Sequence, residues 1–226
     1  MREASVRVIS HRGLARRSLG RCARSLPYHR RCGQALVEFA LVIPLFLILL
    51  IGVIEFAFVF NTALGLNNAT RVASLAAAEA GNTTGADCPI LNSIQTSIGV
   101  PMNLAQIQSV TIFKADPTTG QSLGPEDVYA YDATAQSCST SGATYSVNFQ
   151  LPPSPATYPA TGSEETGGRC DVLEGCSTTV PLDYVGVSIT YHYNYHTPLG
   201  NFLALPGWGS GFNLSWSNVM RMEPTL

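Results

Sequence analysis

FALVIPLFLILLIGVI, residues 39–54, carries no charged side chain; Glu55 interrupts the run and FAFVF extends it to Phe60. The 22 positions from Phe39 to Phe60 meet the roughly 20 helical residues that a hydrocarbon core about 30 Å thick requires. A helix buried in a globular core is rarely apolar on every face for so long. Pro44 and Gly52 are tolerated in membrane helices, where neighbours re-satisfy the backbone. The stretch therefore reads as one transmembrane span.

On its N-terminal side, residues 1–33 hold nine arginines and one acid, Glu3, for a net of +8. The rest of the chain has four basic residues (Arg71, Lys114, Arg169, Arg221) against fourteen acids, for −10, and the whole chain sums to −2. A basic arm can bind nucleic acid. Here it abuts the apolar run, so it reads as a topology signal, and no nucleic-acid partner is expected. The positive-inside rule places the N-terminus in the cytoplasm and the acidic remainder outside. The chain's 226 residues, 46% hydrophobic and 12% charged, suit one domain plus appendages.

A secretory signal has about 7–15 apolar residues followed by a small-residue cleavage site. This span is longer, and Ala76-Ala77-Ala78 lies well beyond its end. A plain uncleaved anchor would ask nothing of the residues before the span. Those residues are Gly33-Gln34-Ala35-Leu36-Val37-Glu38-Phe39, and with the basic leader they resemble a type IV prepilin cleavage site. In that scheme a peptidase cuts on the cytoplasmic side after Gly33, and Gln34 becomes the new N-terminus. Glycine lets the backbone enter a tight protease groove. Glu38 becomes the fifth residue, where a charge at the hydrocarbon edge is costly and usually functional or paired. Its natural partner is the free amine of Gln34, on the same or a neighbouring subunit, which would fix helix register in a filament. The alternative for Glu38 is an interfacial carboxylate in headgroup water. A leader of 33 residues leaves open a start later than Met1.

GQALVEFALVIPLFLILLIGVIEFAFVFNTALGLNNATRVASLAA, residues 33–77, is similar to the N-terminal region of the TadE-like family, pseudopilin-type proteins of tight-adherence (Flp) pilus assembly. Gly33, Glu38, Pro44, Glu55 before Phe56, and Asn68 to Arg71 before an alanine-rich helix end carry the likeness. DYVGVSITYHYNYHTPLG (183–200) and FNLSWSNVMRMEP (212–224) resemble the family's closing strands more weakly. The middle, from about Asn82 to Val180, has no such likeness. The resemblance implies a minor pilin or pseudopilin in the bacterial inner membrane, with its C-terminal domain periplasmic or extracellular. It also implies three kinds of partner: the membrane, a prepilin peptidase, and other pilin and pilus-assembly subunits. The chain would be a peptidase substrate and not an enzyme.

Three segments are expected: a leader over 1–33, a transmembrane and stalk helix over 34–81, and an extracytoplasmic domain over 82–226. TRVASLAAAEA (70–80) favours continuation of the helix, and Gly81-Asn82 supplies its stop. Ala73, Ser74, Ala76, Ala77 and Ala78 either permit close helix packing or reflect helix propensity. Glu55 either snorkels to water near the span's outer end or contacts a partner subunit within the membrane. Beyond the helix, residues 90–99 suggest a short helix, and strands are expected at 110–115, 145–151, 185–195 and 212–222. DPTTG (116–120) reads as a turn, and the Pro-, Gly- and Ser-rich stretch 152–179 as a long loop. Strict alternation makes 185–195 the clearest strand. The fold class is α+β: a long helix, then a small antiparallel sheet with long disulfide-stapled loops.

Cys22 and Cys32 fall in the leader, whereas Cys88, Cys138, Cys170 and Cys176 would enter an oxidising compartment where disulfides form. Four cysteines allow three connectivities, and the sequence does not choose among them. The favoured pairing is Cys88–Cys138 across the sheet with Cys170–Cys176 inside the Gly-rich loop. Neither pair has zinc-site spacing. His192 and His196 share a strand face but lie about 13 Å apart, at about 3.3 Å per residue, too far to share a metal. No GxSxG, HExxH or P-loop pattern occurs, and Glu126, Asp127, Glu164 and Glu165 read as solvated turns. No catalytic residue, cofactor or metal is expected. The remaining alternative is an uncleaved membrane-anchored binding, adhesion or sensor domain.

Overall fold

The computed structural model describes residues 31–140, 142–159, 168–170, 182–197 and 211–223. The chain divides into two compact units, Met1–Leu47 and Ile48–Leu226. One helix, α1 (Arg31–Ala80), begins in the first and continues through the start of the second. Pro44 lies inside it, and Gly81, at φ 61°, takes the left-handed conformation that ends a helix cheaply only at glycine. In the first unit the helix is exposed on every face: Leu36, Leu41, Leu45 and Phe46 each stand more than half in the open.

In the second unit α1 acquires a buried face. Glu55, Thr62, Leu66, Ala69, Thr70, Ala73, Ser74 and Ala77 are buried at the three- and four-residue spacing of one helix side. Leu66, Ala69, Ala73 and Ala77 share a hydrophobic core with the strands. Small side chains at 69, 73 and 77 therefore serve close packing against the chain's own sheet.

That sheet has four antiparallel strands in the order β2-β1-β5-β6: β1 is Ile107–Ala115, β2 Ser122–Tyr129, β5 Tyr184–Asn194 and β6 Gly211–Arg221. Val185, Val187, Ile189, Tyr191 and Tyr193 of β5 all bury, as their alternation requires. Gly186, on the opposite face, lies under the Phe113 ring of β1: a Cβ there would stand 2.3 Å from Phe113 Cζ. The 116–120 turn forms as its residues dictate, with Asp116 Oδ1 accepting from the Thr118 and Thr119 N–H groups.

A second sheet pairs β3 (Tyr131–Ser139) with β4 (Thr144–Phe149). It packs against α2 (Asp87–Ser97), where the Gln95 amide accepts from Asn148 N and donates to Ser146 O. Cys88 of α2 is bonded to Cys138 of β3, the pairing favoured from the sequence, although it joins a helix to a strand and does not cross the sheet. Cys170 is also disulfide-bonded, and its expected partner Cys176 lies outside the described residues.

Strands β2 and β3 lie where the sequence reading expected none. β2 contains Gly124, Pro125, Glu126 and Asp127, which argue against a strand. It is an edge strand, where a missing N–H costs no ladder bond. The described start of the 152–179 stretch runs along that edge: Val128 N donates to Pro155 O and Ser154 N to Val128 O. Asp127 is consequently no solvated turn; it is buried on β2. Glu164 and Glu165 lie outside the described residues.

Candidate functional site

At the start of α1, Gly33 is exposed in the first helical turn. The side chains of Gln34 and Glu38 meet one turn apart, Nε2 donating to Oε1 at 3.0 Å. The helix is long and apolar enough to cross a membrane. Its exposed apolar surface continues into the second unit through Leu49, Leu50, Val53 and Ile54 and on to Phe56, Phe60 and Leu64.

Between Ile54 and Phe56, Glu55 turns into the folded domain. Glu55 is 7% exposed and accepts three hydrogen bonds from one place in the fold. Tyr193 Oη donates to Oε1 at 2.6 Å, His196 N to Oε1 at 3.1 Å, and Thr197 N to Oε2 at 2.8 Å. The His196 ring stacks on Phe58 at 4.9 Å between centroids, and its Nδ1 lies 3.2 Å from Tyr193 Oη. Burial, with the adjacent Glu55 carboxylate, raises the Tyr193 hydroxyl well above its ordinary range, so it stays a donor. A carboxylate satisfied by two N–H groups and a hydroxyl needs no cation. Glu55 thus spends its acceptor capacity on its own chain. His192 stands apart from this cluster, with Nδ1 2.7 Å from Asn213 Oδ1.

Residues 33–75 match the family model described as TadE-like protein. This stretch is TadE-like. The TadE-like segment takes in Gly33, Gln34, Glu38 and Glu55, and it ends at Leu75, before α2 and every strand. No curated protein and no solved structure matches the chain.

Outside the TadE-like segment the domain contains a buried charge cluster that sequence reasoning missed. Arg169 is 1% exposed. Its Nη2 lies 2.5 Å from Asp87 Oδ1 and 3.8 Å from Asp127 Oδ2, and its Cζ sits 4.9 Å from the Tyr158 ring centroid. Tyr129 Oη donates to the other Asp87 oxygen at 2.5 Å, and Tyr158 N to Asp127 Oδ1 at 3.0 Å. Burial pushes the Asp127 carboxyl up, against the lowering by the Tyr158 N–H; burial likewise raises the Tyr129 and Tyr158 hydroxyls. Nearby, Lys114 Nζ pairs with buried Asp183 Oδ1 at 2.8 Å.

A cleft of about 280 Å³ opens beside this cluster, lined in part by Asp87, Asp127, Tyr129 and the Cys88–Cys138 bridge. Its carboxylates are already engaged by Arg169 and the two tyrosine-bearing elements, so the cluster reads as structural. The signal that would have found it is scarcity: beyond residue 33 there are only four cations for fourteen acids, and two of the four are consumed by buried pairs.

Proposed function

We propose that the protein is a TadE-like minor pilin or pseudopilin, made with a basic cytoplasmic leader, cut after Gly33 by a prepilin peptidase, and held in the inner membrane by α1. There it takes part in assembly of a tight-adherence pilus, as a subunit and not as a catalyst. The observation that carries this reading is the family match beginning at Gly33, the residue after which the proposed cut falls, in the first turn of α1. The positive charge of residues 1–33 and the disulfide between α2 and β3 both favour a cytoplasmic N-terminus and an exported domain.

In this reading Gln34 supplies the new amine, and Glu38, already facing Gln34 across one helical turn, supplies the carboxylate that pairs with it or with a neighbour's. Deleting the gene should abolish tight-adherence pili on the cell surface. The wild-type copy should restore them, whereas Gly33→Leu should not, although that protein still reaches the membrane. Normal piliation in the deletion strain would remove the pilus assignment and favour an anchored binding domain.

A further inference from the structure

The geometry points to a second membrane contact: the end of the β5–β6 hairpin nearest Glu55, with Tyr195, His196 and Phe212, rests with Phe56 and Phe60 in the outer-face headgroup layer of the bilayer. The inference rests on the proposed reading of α1 as a membrane span.

The level of this surface follows from the hydrogen bonds. Residues 48–54 present Leu49, Leu50, Val53 and Ile54 to their surroundings and lie, at 1.5 Å per residue, within about 10 Å of Glu55 along the helix. If they occupy hydrocarbon, Glu55 marks its outer boundary. The headgroup layer beyond that boundary is about 6 Å deep, as the difference between roughly 30 Å of core and 40–45 Å of whole bilayer implies. Tyr193, His196 and Thr197 are bonded directly to Glu55, so the end of β5 cannot stand clear of that layer. Phe212 pairs with Tyr193 in register and packs on its ring at 5.4 Å, and on Tyr195 at 6.1 Å. Farther along, Ser74 faces Asn218, so β6 rises away from Glu55 alongside the helix.

The chemistry suits a lipid surface. Phe56, Phe60 and Phe212 are 69%, 56% and 37% exposed, and Phe56 and Phe60 stack on each other at 6.4 Å. From Tyr184 to Met220 the chain carries no Asp, Glu, Lys or Arg. Aromatic side chains with a wet edge concentrate at this depth in membrane proteins. The one acid at this level, Glu55, is sealed by its three donors, which spares the interface a bare carboxylate. The surface is continuous with the apolar helix surface below it, which favours lipid over a second protein.

Single-tryptophan variants, all carrying Trp208→Phe, test this in vesicles of phosphatidylethanolamine and phosphatidylglycerol containing a lipid brominated near the top of its acyl chains. Three reporters are compared: Phe212→Trp with Trp216→Phe, native Trp216, and Leu45→Trp with Trp216→Phe. Positions 212 and 216 lie about 13 Å apart on one strand. The expected result is strong quenching of Phe212→Trp and little of Trp216, with Leu45→Trp quenched by a lipid brominated deep in its chains. Tyr195→Trp repeats the measurement should Phe212→Trp not fold. Quenching at position 45 without quenching at 212 or 195 would overturn the inference and leave the span intact. The same result with position 212 shielded from aqueous iodide would assign the surface to a protein partner instead. No quenching at any position would remove the span, and the inference with it.

Discussion

Tyr193 Oη donates a 2.6 Å hydrogen bond to Glu55 Oε1, joining the end of β5 to the middle of α1 across 138 residues of sequence. With the His196 and Thr197 N–H groups it makes Glu55 the point at which the apolar helix becomes part of a folded domain. Hydrogen bonds to a charged group contribute about 1.5–3 kcal/mol each, and an orphaned buried donor costs more than a lost partner alone. Tyr193→Phe should therefore lower stability by about 2 kcal/mol, and Glu55→Ala by more, because it strands three donors. Thermal unfolding in detergent, followed by near-ultraviolet circular dichroism, should rank wild type above Tyr193→Phe above Glu55→Ala. Equal midpoints for all three would mean that the contact does not form in solution.

Arg169 bridges Asp87 and Asp127 without access to water. Removing one partner of a buried pair leaves an uncompensated charge and costs about 3–5 kcal/mol. Arg169→Met should fall in that range, and Asp87→Asn added to it should recover part of the loss. Chemical denaturation of both variants measures this; additive losses would show that the two groups do not interact.

Burial raises the Asp127 carboxyl above its ordinary value, and the sign of the consequence is definite. The unfolded carboxyl titrates near about 3.9, while the folded one keeps its proton to higher pH. The folded state thus binds more protons between the two values, and stability falls as pH rises through that window. Below the unfolded value the contribution is fully present; above the folded value it is lost. Asp127→Asn should flatten this part of the profile. Thermal midpoints of wild type and variant from pH 3 upward should diverge as pH rises, with the variant gaining relative to wild type. Parallel profiles would contradict the assignment.

Phe113 occupies the space above Gly186 that any side chain would need. Overpacking a core position costs about 1–3 kcal/mol, so Gly186→Val should destabilise by that amount, and Phe113→Leu should relieve much of it. The double-mutant cycle by denaturant unfolding reads the coupling. The Cys88–Cys138 bridge closes a separation of 50 residues, for which the chain-entropy model gives about 4 kcal/mol. Cys138→Ser should accordingly lower the unfolding midpoint of the domain steeply and raise its protease sensitivity.

Much of the fold was legible because its strongest signals are local. An unbroken apolar run, a Gly81 stop and the strict alternation of Val185 to Tyr193 each specify their element from neighbouring residues alone. β2 was hidden because Pro125 and Gly124 are breakers anywhere except at an edge, and edge status is a property of the sheet. Glu55 was recognisable as an anomaly in an apolar helix, but its donors come from residues 193–197, and nothing local marks them. Arg169 sits in a Gly-rich stretch that resembles a loop; only its folded context makes it a core residue.

The most direct test of the account is the N-terminus of the membrane-extracted mature protein, determined by mass spectrometry in strains with and without prepilin peptidase. The account predicts a chain beginning at Gln34 in the first strain, and an uncut leader both in the second and in Gly33→Leu. A leader left intact in the peptidase-positive strain would contradict it and leave the protein an uncleaved, anchored domain.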